Sequence, residues 1–256
     1  MSPHERRSWL IFILLLATNS LLAFLTFALG LADEMAAAGP ATATIADIPQ
    51  WILGLANAGM ILLLYGVLGA LGLTLSKSVN LPGVFRRDAS RRELLLEPLV
   101  LGVLCGGFFI VVDLGFSRFS GWGAFAHPDF PASIIASATA GIGEEIVFRL
   151  FMLTLWVFLL NLIIKRSGTS TLKRWMANVI AALAFAAAHI PSAMFLLGAS
   201  TVSEIPVPIL IELMLLNSVV ALIAGDRYLR VGLVAAVGVH FWTDIVWHVI
   251  YPLTAL

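Results

Sequence analysis

Charge is scarce in this sequence: only 12% of its 256 residues are Asp, Glu, Lys or Arg, where an ordinary soluble domain carries about a quarter. That shortage excludes a soluble globule. With 60% hydrophobic residues and a mean hydropathy of +1.00, one core in a chain of this size cannot hide its apolar side chains behind so little polar surface, whereas lipid solvates them directly. Cysteine is nearly absent too. Cys105 is alone and sits in an apolar run, so there is no intrachain disulfide and no cysteine-based metal site, and it reads as a small buried hydrophobe. The formal net charge is zero and there is no basic tail or low-complexity arm, which argues against a nucleic-acid partner. Neither an internal repeat nor a Pro/Gly/Ser linker divides the chain, so residues 1–256 read as a single membrane-embedded domain.

What the sequence does have is long apolar runs: Trp9–Leu31, Trp51–Leu75, Leu94–Phe116, Ser133–Ile164, Trp175–Leu197, Pro206–Ala224 and Val231–Tyr251. Each reaches the ~20 residues that a membrane-spanning helix needs. The expected fold is all-α, a polytopic transmembrane bundle of seven helices. An eighth element has room in the fourth run, whose first turns are long enough to form a separate short helix. The first run exceeds the ~7–15 residues of a signal-peptide core and reads as a retained span.

Lys and Arg alternate between the loops. The N-terminus, Ser76–Glu93, Lys165–Arg174 and Gly225–Arg230 hold thirteen of the fifteen, which predicts a cytoplasmic N-terminus and an external C-terminus. Of the remaining two, Arg118 falls in an opposite loop and Arg149 lies inside a span.

An ionisable side chain inside a bilayer costs at least ~2.5–3.5 kcal/mol on insertion scales, so each one is a functional candidate. Four have bland readings. Glu97 reaches the interface, Asp113 is an interfacial or helix-packing group, Glu212 hydrogen-bonds between helices one turn from Asn217, and His248 is solvated near the outer interface. The other six form a constellation. Glu145 and Arg149, four residues apart on a helix, pair as one tolerable unit. Glu144, rotated about 100° from Glu145, has no cation on its own helix and suits general acid or base work. His189 follows Phe185 and three alanines, and Pro191 should kink or end the helix at the histidine. His240 and Asp244 share a face of the last span and can share a proton, flank a reacting oxygen or bind a metal. The predicted topology puts Glu144, His189, His240 and Asp244 at one level, in the outer half of the membrane.

The motifs Glu-Glu-x-x-x-Arg at Glu144, Glu145 and Arg149, Phe-x-x-x-His at Phe185 and His189, and His-x-x-x-Asp at His240 and Asp244 resemble those of the CPBP family of intramembrane proteases. That family includes CAAX-processing Ras-converting enzymes and bacteriocin-processing or self-immunity proteins. The resemblance covers a protease-like core of about residues 133–251. It implies a helical bundle with an intramembrane cavity and hydrolysis of a peptide bond of a membrane-associated substrate, such as a prenylated protein tail or a peptide precursor. In its terms Glu144 is the base that activates water and His189 its helper. His240 and Asp244 stand at the oxyanion, and Glu145 with Arg149 support Glu144. Relatives can carry asparagine at the last position; an ionised Asp244 donates no hydrogen bond, so it is protonated, orients His240 or binds a metal. The expectation is a metal-independent, glutamate-type enzyme, with zinc held by Glu144, the two histidines and Asp244 as the alternative. Membrane lipid and a membrane-associated peptide or lipidated protein are the expected partners. A proton- or ion-coupled transporter would also place Glu, His and Asp at mid-membrane, but many transporters show an internal repeat that this sequence lacks. A catalytically idle partner-binding or immunity protein is the third reading.

Overall fold

The computed structural model describes residues 1–31, 48–120, 123–165 and 170–254. Seven helices are long and apolar enough to cross a membrane: α1 (Pro3–Ala28), α2 (Gln50–Ser78), α3 (Arg92–Ser120), α4 (Ala132–Ile163), a fifth span in two pieces, α5 (Ser170–Ala188) and α6 (Ile190–Leu197), then α7 (Val207–Arg230) and α8 (Leu233–Thr254). The protein is an all-helical, multi-pass integral membrane protein. Its outer surface is apolar where a soluble protein's would be polar, with Leu10, Ile13, Leu21, Leu63 and Val111 all exposed. The fourth run does not divide as its length allowed. It is one continuous helix of 32 residues, and no eighth spanning element exists among the described residues.

The continuity of α4 is not uniform. Between Ile146 and Leu153 it widens into a π-helical segment, and α8 does the same between Ile245 and Ile250. Each widening begins directly after a sequence-predicted site carboxylate, Glu145 in one case and Asp244 in the other. Such segments are rare and recur at functional sites.

Two small-residue contacts set how the spans are rotated. On α3, Gly102 and Gly106 lie against α8. A Cβ at Gly102 would stand 2.7 Å from the Val239 carbonyl oxygen, and one at Gly106 would stand 2.8 Å from that of Thr243. The α3 backbone approaches α8 this closely only because neither glycine carries a side chain, the small-xxx-small device of membrane helices. From the other flank, Gly141 of α4 meets the backbone of Phe241. α8 is thus clasped between α3 and α4, with His240 held against the Glu144–Glu145 pair. Gly102→Ala should therefore destabilise the protein by about 1–3 kcal/mol, the usual cost of overpacking, read as a lowered melting temperature in detergent. Gly107→Ala, at a position with nothing within 4 Å of the added carbon, should leave it unchanged or raise it.

The four basic segments gather at one end of the bundle. Lys77 pairs with Glu5 at 2.7 Å, Arg86 donates to the Arg230 carbonyl at 2.7 Å, and Arg174 donates to the Asn80 carbonyl at 3.2 Å. The α2–α3 loop docks on the start of α8 through Leu233 N–H to the Gly83 carbonyl and Val234 N–H to the Val84 carbonyl. Near this end Glu97 receives Arg227 at 3.1 Å.

Candidate active site

The site is built from four helices. α4 supplies two adjacent carboxylates pointing to different neighbours. Glu145 is wholly buried, and its Oε1 stands 2.9 Å from Nη1 of Arg149, which is 1% exposed. The guanidinium also lies over the Phe185 ring at 4.4 Å, a cation–π contact that further offsets its burial. This i,i+4 pair is the one the spacing predicted. The same Oε1 also accepts a hydrogen bond from Nδ1 of His240 at 2.9 Å. One carboxylate therefore ties an arginine on its own helix to a histidine on α8.

The break between α5 and α6 places His189. Pro191 has no N–H to continue the ladder, and the His189 amide donates to Ala186 rather than to Phe185. The Phe185 carbonyl is left for the side chain, and His189 Nδ1 lies 2.9 Å from it. A carbonyl only accepts, so Nδ1 carries the hydrogen. His240 is tethered in the same sense, because its Nδ1 faces a carboxylate oxygen. Each imidazole thus turns its Nε2 toward the centre: His189 Nε2 is 3.7 Å and His240 Nε2 3.9 Å from Oε2 of Glu144. Asp244 Oδ2 stands 3.6 Å from His240 Nε2. These three separations exceed a direct hydrogen bond. The His240–Asp244 pairing read from their spacing is a looser contact than the bond of His240 to Glu145, which the sequence did not reveal.

Glu144, His189, His240 and Asp244 all line one cavity of about 240 Å³, walled by apolar side chains that include Phe109, Leu216 and Trp247. It lies toward the end of the bundle away from the basic loops. A second, more open cavity of about 520 Å³ between α1, α2 and α4 also reaches Glu144, past Tyr65 and Asn57. Glu144 is the more accessible of the two adjacent carboxylates, its side chain 29% exposed against 0% for Glu145. Among the described residues no group of three or more His, Cys, Asp or Glu side chains is arranged to hold a metal ion.

One of the bland readings changes and two are refined. His248 is not a solvated interfacial group: it lines the same cavity as Glu144, and its Nδ1 meets Nδ1 of His127 at 2.9 Å. His127, in the α3–α4 loop, carried no motif that sequence could weigh; burial pushes it down to about 4. Asp113 is fully buried, which fits the helix-packing alternative and not the interfacial one. Glu212 does meet another helix, its partner being the Asp113 carboxyl, while Asn217 donates to the Leu213 carbonyl of its own helix.

Residues 126–246 match the family model described as type II CAAX prenyl endopeptidase, Rce1-like. No curated protein and no solved structure matches the chain.

Proposed function

We propose that this chain, whose residues 126–246 match the family model of type II CAAX prenyl endopeptidases, Rce1-like, hydrolyses a peptide bond of a membrane-associated substrate by a glutamate-type mechanism. The observation that carries the reading is the convergence of two imidazole Nε2 atoms on Glu144 Oε2, each ring fixed through its Nδ1. Separations of 3.7 and 3.9 Å suit a water molecule held between Glu144 and His189 better than direct bonds.

In this mechanism Glu144 takes a proton from that water, whose oxygen attacks the scissile carbonyl carbon. Neutral His189, with Nδ1–H on the Phe185 carbonyl, accepts at Nε2 and orients the water. His240, ringed by the carboxylates of Glu144, Glu145 and Asp244, acts as an imidazolium. Its Nε2–H donates to the oxyanion of the tetrahedral intermediate, the part that an ionised Asp244 cannot perform. Asp244 balances the charge on His240. The C–N bond then breaks as the proton on Glu144 passes to the leaving amine. The apolar walls exclude bulk water and strengthen each of these electrostatic contacts.

The substrate is proposed to be a lipidated protein tail or peptide precursor that reaches Glu144 within the membrane. The charge distribution supports a cytoplasmic N-terminus, because the four basic segments share one end of the bundle.

The test is cleavage of a lipidated peptide by the purified protein in liposomes. His189→Ala should lower the rate about 10²-fold or more, within the range of general acid–base catalysis, without lowering the melting temperature by more than a few degrees. A strong zinc chelator should leave the wild-type rate unchanged; loss of activity restored by added zinc would overturn the metal-independent assignment.

A further inference from the structure

Beside the catalytic cavity lies a smaller one of about 220 Å³, lined by residues 123–126 of the α3–α4 loop, by Ala193, Leu196 and Leu197 of α6, and by Ile209 and Glu212 of α7. The two cavities share Phe125, Ala126, Ala193 and Leu196. Ala193 is one helical turn, ~6 Å, beyond His189. Every lining side chain except Glu212 is apolar, and Glu212 is only 3% exposed. Behind it, on α3, Asp113 is fully buried and accepts the Phe125 amide at 3.0 Å through Oδ1. The two carboxyls are in contact with each other, and Asp113 Oδ2 and Glu212 Oε1 have no hydrogen-bond donor among the described residues. With one proton held between them the pair carries one negative charge, the state that a cation in the cavity would stabilise.

Among the described residues that charge has no counter-ion. No Lys, Arg or His among the described residues forms an ion pair with Asp113 or Glu212, although each of the other buried carboxylates near the catalytic centre has a histidine or arginine close by. A buried charge left unpaired is strongly destabilising. The cavity in front of it has room for one side chain, and its apolar walls suit a methylene stem.

We propose that this cavity is a substrate subsite for a lysine or arginine side chain near the scissile bond, with Glu212, backed by Asp113, as the specificity-determining carboxylate. The stem of the substrate side chain lies along Phe125, Leu196 and Ile209, and its cationic head meets Glu212. This rests on the peptidase reading, and it adds a charge preference to it.

Three lipidated peptides that differ at one residue test the proposal, with lysine, Nε-acetyl-lysine or norleucine placed in turn at each position within three residues of the cleavage site. For wild-type protein in liposomes, the lysine peptide should be cleaved with a kcat/KM about tenfold or more above both neutral peptides at one position, as a hydrogen-bonded charge pair requires. Glu212→Gln should collapse that ratio toward one. Equal kcat/KM for lysine and norleucine at every position would overturn the subsite, and this needs no variant to fold. Should no peptide be cleaved at all, the peptidase reading fails, and binding decides the subsite alone. The Glu144→Gln protein should then be stabilised against heat more by the lysine peptide than by the acetyl-lysine peptide, and an equal effect of the two would overturn it.

Discussion

Glu144→Gln should reduce peptide cleavage by about 10²–10⁴-fold, the contribution typical of a general base, and should leave the bundle folded. Glutamine keeps the side chain's shape but cannot take the proton of an attacking water. Among the described residues the basic groups nearest to Glu144 are His189 at 3.7 Å and His240 at 3.9 Å, and its side chain is partly exposed to the cavities. Neutralising it therefore strands no buried cation. A loss smaller than tenfold would remove Glu144 from the role of base and shift attention to Asp244, the other cavity carboxylate within reach of His240.

Glu145→Gln should do the opposite, damaging the fold first. Its carboxylate sits between Arg149, its ion-pair partner at 2.9 Å, and His240, from which it accepts a hydrogen bond at 2.9 Å. Arg149 is 1% exposed, and within the described residues it has no other carboxylate in ion-pair contact. Removing one partner of such a pair costs about 3–5 kcal/mol. The expected result is a lower yield and a melting temperature in detergent well below those of both wild type and Glu144→Gln. A Glu145→Gln protein as stable as wild type, with Glu144→Gln the weaker of the two, would reverse which carboxylate supports the structure. A double variant offers a second check. Arg149→Met in the Glu145→Gln background removes the stranded charge and should recover part of the lost stability, as apolar replacement of buried ion pairs often does.

The features legible in the sequence are those that the bilayer or a single helix imposes locally. Lipid demands uninterrupted apolar runs, so all seven spans stood out, with helix ends displaced by a few residues where charged turns such as Arg92–Glu93 continue the helix. The Glu145–Arg149 pair follows from i,i+4 geometry, and the break at His189 follows from Pro191. What escaped depends on how the helices are rotated against one another. The bond from His240 to Glu145 joins residues 95 apart, and the His127–His248 contact joins residues 121 apart. Neither has a local signature, because both are set by the close approach of α8 to Gly102, Gly106 and Gly141. The meeting of Asp113 with Glu212 escaped for the same reason: the sequence marks Glu212 as bonding between helices and Asp113 as interfacial or helix-packing, but neither helix alone says that the two are partners.

The central claim, that this protein hydrolyses a peptide bond with water activated at Glu144, is tested most directly by mass spectrometry of a lipidated peptide incubated with the liposome-reconstituted protein in ¹⁸O-labelled water. The account predicts one discrete pair of fragments from the wild type, with a single labelled oxygen in the new C-terminal carboxylate, and no such pair above background from Glu144→Gln. Fragments appearing at comparable rates from both proteins, or fragments that carry no label, would contradict it.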